Sequence, residues 1–176
     1  YRLLNELQNS AQVTSVAVSS DNSRVAAGLA DGTIAVWNLQ NGNRIEQILA
    51  GHTDIVTSLA FVSGSSEQFI SGANDSTVRL WQIGFESSLK VMRGHTGQIS
   101  GVKMLPDPSM ALSASNDGTI FVWDMNSGLP IATLVGHSSP VGAIDIHAGG
   151  QRAASGSADG KIIVWDVSRE ERADQE

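Results

Sequence analysis

The sequence has no cysteine, no long apolar run and no basic stretch, and each absence excludes a class of protein. Without cysteine, its 176 residues hold neither a disulfide framework nor a cysteine-ligated metal site. No apolar run approaches the roughly 20 residues of a membrane span, and the first residues do not resemble a signal peptide. The net charge is −7, with Lys and Arg scattered singly, so a nucleic-acid footprint is missing. We expect no direct nucleic-acid partner, no membrane association and an intracellular location, in cytoplasm or nucleus.

A regular internal repeat is the strongest positive feature of the chain. Its four tryptophans recur at intervals of 42 to 44 residues, the period of a β-propeller blade. An aspartate stands six residues before each tryptophan, and a Gly-His pair precedes three of the four in the same phase. These residues are Trp37, Trp81, Trp123 and Trp165, Asp31, Asp75, Asp117 and Asp159, and the histidines His52, His95 and His137.

Each repeat predicts four short strands. In the last repeat the first three are 141–146, 152–157 and 161–167, and the third is continuously apolar, as in a strand buried on both faces. The outer fourth strands of the other repeats are predicted at 44–49, 89–92 and 130–134. Asp-Gly joins the second and third strands in three repeats, which indicates a tight hairpin with positive φ; Asp75-Ser76 is the weaker variant.

Gly-His, a hairpin with Asp-Gly and a final Val-Trp-Asp together resemble the WD repeat (WD40) family over roughly residues 2 to 168. The chain departs from the pattern at Trp37-Asn38 and Trp81-Gln82, and it has Gln8-Asn9 where the first Gly-His is due. The resemblance implies an all-β, WD40-type β-propeller of four repeats of four antiparallel strands. The predicted blades are 8–50, 51–93, 94–135 and 136–167, followed by a charged tail or linker at 169–176.

Residues 2–7 resemble a fourth strand that arrives without its own blade. Pairing of this strand beside 161–167 would complete the last blade and hide its edge, as ring closure does in propellers. Four WD blades rarely form a ring, so we expect a half or segment of a larger propeller, in keeping with a first residue, Tyr1, that is not methionine. The alternatives are a homodimer that forms an eight-bladed ring and a closed four-bladed ring.

Serine, histidine and aspartate recur together in three repeats, which raises the question of nucleophilic catalysis. Repetition argues against it, because an enzyme needs one activated serine in one pocket. In the WD family these residues and the tryptophan form a structural, hydrogen-bonded tetrad that satisfies buried polar groups. The resemblance implies the tetrads His52, Ser71, Asp75, Trp81; His95, Ser113, Asp117, Trp123; and His137, Ser155, Asp159, Trp165. We predict no catalytic residue, no metal site and no cofactor.

The predicted function is a non-catalytic scaffold that assembles a multi-protein complex through its propeller loops. Partners would be proteins or peptides, and the acidic charge favours basic segments. The alternative is a regulatory or substrate-recognition WD-repeat module of a larger multidomain enzyme or ligase. The predicted partner-binding residues lie in the loops of the Gly-His pairs: Thr53, Asp54, Thr96, Gln98, Ser138 and Ser139.

Overall fold

The computed structural model describes residues 6–40 and 44–168, and of residues 44–47 it describes the backbone. This part of the chain contains strands and turns. The strands are β1 Val13–Val18, β2 Arg24–Leu29, β3 Ile34–Asn38, β4 Arg44–Leu49, β5 Val56–Phe61, β6 Gln68–Ala73, β7 Val78–Gln82, β8 Lys90–Met92, β9 Ile99–Met104, β10 Met110–Ser115, β11 Thr119–Asp124, β12 Leu129–Val135, β13 Val141–Ile146, β14 Arg152–Ser157 and β15 Ile162–Asp166.

Consecutive strands pair antiparallel to form four separate sheets, one for each repeat. Blades 1 to 3 have four strands each: β1–β4, β5–β8 and β9–β12. Blade 4 has three strands among the described residues, β13–β15. The predicted all-β propeller architecture is therefore confirmed. The predicted strand at 2–7 falls largely outside the described residues, and its last two, Glu6 and Leu7, are not in a strand. The predicted tail at 169–176 lies outside the described residues too.

The turns between the second and third strands have the predicted left-handed backbone. Gly32, Gly118 and Gly160 follow their aspartates with φ of 83°, 86° and 79°. Ser76 takes the same conformation with φ of 64°, although it carries a Cβ that disfavours it. The hairpin is thus kept in all four blades, including the one that lacks Asp-Gly.

Apolar side chains fill the spaces between neighbouring blades, where each sheet packs one face on the next. The first interface joins Ile34 and Val36 of blade 1 to Leu59, Phe69 and Trp81 of blade 2. The second and third interfaces repeat this arrangement between blades 2 and 3 and between blades 3 and 4. Burial of these side chains, at about 25 cal/mol per Å² of apolar area, is the main source of stability in such a stack.

A hydroxyl group near the start of the first strand links each of blades 1 to 3 to the next blade. It donates to a backbone carbonyl of the next blade, in the residue just before the equivalent position of that blade, at 2.6, 2.6 and 2.5 Å. The three bonds run from Thr14 to Val56, from Thr57 to Ile99 and from Ser100 to Val141. Blade 4 has Gly142 at the equivalent position, so it carries no such hydroxyl.

The outer faces of the first and last blades are open. Ile162 and Val164 of β15 are 79% and 65% exposed, whereas the equivalent Val78 and Leu80 of blade 2 are buried. At the other end, Val16 of β1 is 64% exposed, while its counterpart in blade 2 is buried in an interface. The prediction that the third strand of the last repeat is buried on both faces is therefore wrong. Its apolar side chains are those of an interface, but no further blade covers them among the described residues.

Candidate functional site

A chain of hydrogen bonds crosses blade 3 from the interior to its turn. Trp123 Nε1 donates to Ser113 Oγ at 2.7 Å, and Ser113 Oγ lies 2.8 Å from His95 Nε2. His95 Nδ1 lies 2.8 Å from Asp117 Oδ2. Since a carboxylate accepts only, Nδ1 carries the proton, and Nε2 is left to accept from the serine hydroxyl. Every polar side-chain group in this series of hydrogen bonds then has a partner, and the imidazole is neutral.

Blades 2 and 4 contain the same network. In blade 2 the corresponding distances are 2.8, 2.6 and 2.9 Å, and in blade 4 they are 2.8, 2.8 and 3.0 Å. The structure thus brings together each of the three predicted sets, which in these blades are His52, Ser71, Asp75, Trp81 and His137, Ser155, Asp159, Trp165. Ser71 and Ser155 are the serines that touch histidine. Ser157, two residues on, instead donates to the carbonyl of Ser139 at 3.0 Å.

The aspartate of each network also holds two segments of backbone. Its Oδ2 accepts from the N–H of the residue after histidine, namely Thr53, Thr96 or Ser138, at 3.0 to 3.1 Å. Its Oδ1 accepts from the N–H two residues further along the hairpin turn, at 2.9 to 3.0 Å. One carboxylate therefore fixes both the Gly-His loop and the turn of the same blade.

The environment of the networks favours ionised aspartate, and in blades 2 and 3 it also favours neutral histidine. Burial is the main influence on His52 and His95 and lowers the pKa of each below its usual value, although the neighbouring carboxylate opposes it. Burial alone would raise the pKa of Asp117, but hydrogen bonds from Thr119 and His95 lower that pKa to about 2. Hydrogen bonds, chiefly from the Ser138 N–H, lower the pKa of Asp159 to about 2 as well.

The three serines resemble the nucleophile of a Ser-His-Asp triad in distance but not in access. Ser71 and Ser113 are fully buried, and Ser155 nearly so. Each Oγ already accepts an indole N–H and faces the imidazole. A nucleophile must reach a substrate carbonyl beside an oxyanion site. In this arrangement these hydroxyls have no path to a substrate, and their geometry supports a structural role.

The Gly-His loops and hairpin turns of successive blades join into one surface, which we call the loop face. A Cβ built on Gly32 of blade 1 would lie 2.8 Å from the His52 carbonyl oxygen and 3.1 Å from that of Asp54 in blade 2. The turn at Gly118 approaches the loop of blade 4 in the same way. The predicted partner-binding residues all lie here: Thr53, Asp54, Thr96, Gln98 and Ser138 are exposed, and Ser139 is half-buried.

Comparison with known families agrees with this architecture. The family model described as the Vps8 beta-propeller matches residues 3–99, and the WD domain, G-beta repeat, matches residues 86–124 and 128–166. The chain belongs to the WD-repeat β-propeller family. Together these matches extend over all four blades, which confirms the family predicted from the repeat.

Curated WD-repeat relatives match about half of this chain. The guanine nucleotide-binding protein subunit beta of Oryza sativa subsp. japonica is 37% identical over 95 residues, which are 51% of this chain and 25% of the relative. The WD repeat and SOCS box-containing protein 1 of Homo sapiens is 32% identical over 94 residues, 53% of this chain and 22% of that protein. The matched part spans about a quarter of these relatives.

Blade 1 departs from the WD-repeat network and replaces it with a shorter one. It has Asn9 in place of histidine and Ala27 in place of serine, so the serine hydroxyl that accepts from tryptophan in the other blades is replaced by a methyl group. Instead, Trp37 Nε1 donates directly to Asn9 Oδ1 at 3.3 Å. The sequence indicated that histidine and serine are both replaced in blade 1, but the bond between Trp37 and Asn9 was not predicted from it. The signal was present, since an amide oxygen at the histidine position is itself an acceptor.

The blades offer no grouping of ligands for a metal. Among residues 6–40 and 44–168, no three His, Asp or Glu side chains are placed to hold an ion. The same part of the chain contains no helix with the length and apolar character to cross a bilayer.

Proposed function

We propose that this WD-repeat chain is a non-catalytic protein-interaction scaffold that binds partners on its loop face. The observation that carries the proposal is the double use of the network aspartates. Each carboxylate accepts from a backbone N–H of a Gly-His loop and so holds the loop backbone in place. The predicted contact residues of these loops are exposed: Thr53, Asp54, Thr96, Gln98 and Ser138. A loop backbone that is already ordered loses little entropy on binding, which favours recognition by the side chains that it carries.

The names of the relatives support a role in assemblies. One is a subunit of a guanine nucleotide-binding protein, which by its name acts within a larger complex. The other carries a SOCS box beside its WD repeats, which supports the alternative that this chain is a recognition module of a larger multidomain enzyme or ligase. Both functions use the same loop face, and they differ in what is attached to the propeller.

Basic segments of partner proteins are the favoured ligands of the loop face. Asp31 and Asp54 are exposed, and the turn that follows Asp31 packs against the carbonyl of Asp54 in the next blade. The chain as a whole has a net charge of −7. Two exposed carboxylates on adjacent loops of an acidic protein attract cationic residues and steer their approach.

Charge reversal on the loop face tests this proposal. Partners of the full-length protein would first be captured and identified by mass spectrometry, and their affinities then measured at two salt concentrations. We expect Asp54→Lys to weaken binding several-fold and to reduce its salt dependence. The control is Glu86→Lys, which makes the same charge change in the exposed loop at the opposite end of β7. Equal effects of the two variants, or none for Asp54→Lys, would refute the assignment to the loop face.

We also propose that the open faces of blades 1 and 4 take further WD blades. The exposed Ile162 and Val164 stand at the third-strand positions that are buried in every interface between two blades. The exposed Val16 stands at a first-strand position that is buried on the opposite side of such an interface. Light scattering of this chain on a sizing column tests the source of those blades. A dimer would support an eight-bladed ring formed by two copies. A mass that rises without limit would support blades from a longer chain, and a stable monomer that binds no apolar dye would refute the proposal.

A further inference from the structure

One position of the WD repeat holds a charged residue in blade 2 alone. Two residues before each tryptophan stand Ala35, Arg79, Phe121 and Ile163. The side chain there packs against the glycine of the Gly-His pair. A Cβ on Gly51 would lie 2.8 Å from Arg79 Nη1, and a Cβ on Gly94 would lie 2.6 Å from the Phe121 ring. Arginine thus occupies a place that the neighbouring blades fill with apolar side chains.

Arg79 is poorly satisfied where it lies. Its Nη1 donates to Ser88 Oγ at 3.3 Å, but its Nε is buried and has no hydrogen-bond partner. Arg24 of blade 1 also has a buried Nε without a partner, but its guanidinium meets two acceptors, because its Nη1 donates to the Ser66 carbonyl at 3.1 Å and its Nη2 lies 3.9 Å from Glu67. An unpaired buried donor on a charged group is costly, so an acceptor that reaches the Arg79 guanidinium gains binding energy.

A second arginine faces the same place. Arg79 pairs across the ladder with Val91, and Arg93 stands two residues after Val91, just past the end of β8. Val91 and Arg93 are exposed while Met92 between them is buried, so continued strand alternation places Arg93 on the side of Arg79.

Burial has the largest effect on Arg79 and lowers its pKa, the charge of Asp75 opposes this, and the charge of Arg93 lowers the pKa further. No carboxylate of the described residues forms an ion pair with either arginine. Two like charges are therefore held together without an ion-paired carboxylate, and Asp75, whose charge acts on Arg79, is already hydrogen-bonded to His52 and Thr77.

We propose that Arg79 and Arg93 form an oxyanion site on the side of blade 2, which takes a carboxylate or phosphate group of an acidic segment of a partner protein. Guanidinium groups bind these anions through paired N–H donors, and two of them share one oxyanion well. Exposed Val91 is the cross-strand partner of Arg79 and stands two residues before Arg93, with exposed Leu89 earlier on the same edge. The site therefore suits an acidic group flanked by apolar residues.

The site adjoins the loop face, since Arg79 packs against Gly51 of a Gly-His loop, but it differs from the loop face in charge preference. It lies on the β7–β8 side of blade 2, and it selects anions, whereas the loop face selects cations. Only the statement that a protein carries the anion rests on the proposed scaffold function. A test with a small anion is therefore independent of that function, and a test with peptides follows it.

Inorganic phosphate is the first probe, at constant ionic strength maintained with sodium chloride. The readout is the ¹H–¹⁵N resonance of the Arg79 Nε–H group, assigned by its absence in Arg79→Gln. We expect a saturable shift with phosphate, and about tenfold weaker affinity in Arg93→Gln, in which the exposed arginine is lost without disturbing the core. Arg24→Gln, the matched control, should leave the affinity unchanged. An absent or non-saturable shift, or equal affinity in Arg93→Gln, would overturn the site.

Peptides then distinguish the two sources of the anion. Three peptides of one apolar sequence would carry glutamate, phosphoserine or serine at the centre, with the Asp54→Lys variant measured alongside. Binding of the glutamate or the phosphoserine peptide, lost in Arg93→Gln and kept in Asp54→Lys, supports an acidic partner segment and names its anion. Binding of free phosphate with neither acidic peptide would overturn the partner assignment. Equal binding of the serine peptide would show that apolar contacts, rather than the arginines, hold the ligand.

Discussion

Replacing Ser113 with alanine should destabilise the protein by more than the loss of one hydroxyl suggests. Ser113 is 0% exposed, and its Oγ accepts from Trp123 Nε1 at 2.7 Å and faces His95 Nε2 at 2.8 Å. Both partners are buried, so water does not replace the missing group. An unpaired buried polar group costs about 1 to 3 kcal/mol, which gives about 2 to 6 kcal/mol for two. Domains of this size have total stabilities of about 5 to 15 kcal/mol, so the loss is large.

A double-mutant cycle measures how much of this loss belongs to the tryptophan. Urea unfolding would be followed by circular dichroism in the wild type, Ser113→Ala, Trp123→Phe and the double variant. Once the hydroxyl is gone, the indole N–H is unpaired, and Trp123→Phe removes that unpaired donor. The double variant should therefore be more stable than the sum of the single changes predicts, by about 1 to 3 kcal/mol.

Ser115→Ala is the matched control for this cycle. Ser115 is also 0% exposed and lies on the same strand, but its Oγ accepts from the backbone N–H of Asp117 at 3.1 Å and does not join the histidine network. Its loss leaves one donor unpaired, at about 1 to 3 kcal/mol. If Ser113→Ala cost no more than Ser115→Ala and the cycle were additive, the network would not stabilise blade 3 in the way argued.

Two further predictions concern pH and the turn of blade 2. The pKa values of His52 and His95 are lowered by burial, so the unfolded chain binds more protons below about pH 6.5. The free energy of unfolding therefore has its full value above that pH and decreases below it, by up to about 1.4 kcal/mol per pH unit for each histidine. Equal urea midpoints at pH 8 and pH 5 would contradict this prediction. Ser76→Gly should stabilise the protein by up to about 1 kcal/mol, measured as a higher urea midpoint, because glycine accepts the φ of 64° without strain.

The repeat made most of the fold predictable, but it did not predict burial. Tryptophan, aspartate and Gly-His recur in phase, so the strands, turns and networks of one blade are copied to the next. The same copying led to the wrong expectation for β15. Ile162 and Val164 have the sequence of a buried strand, yet they are exposed because no further blade covers them among the described residues. The apolar residues of β15 show that its outer face is suited to contact another blade, but only the structure shows whether another blade lies there.

The inter-blade hydroxyls were missed for a different reason. Thr14, Thr57 and Ser100 stand in register in successive repeats, but they look like ordinary polar residues of a half-buried strand. Their acceptors are backbone carbonyls of the next blade, 41 or 42 residues later. Every residue has a backbone carbonyl, so the sequence does not indicate which one accepts the bond. Aligning the repeats would have shown the register without identifying the bond.

Residues that repeat and residues that do not repeat have different parts in this propeller. The networks do the same work in blades 2, 3 and 4, so they cannot make one blade recognise a partner that another does not. Selective binding must come from positions at which the blades differ. Asp54 is such a position on the loop face, where blade 3 has Gly97 and blade 4 has Ser139. Arg79 is another, on the side of blade 2. The common residues hold the frame, and the differing residues on that frame are where the partners of this chain are to be sought.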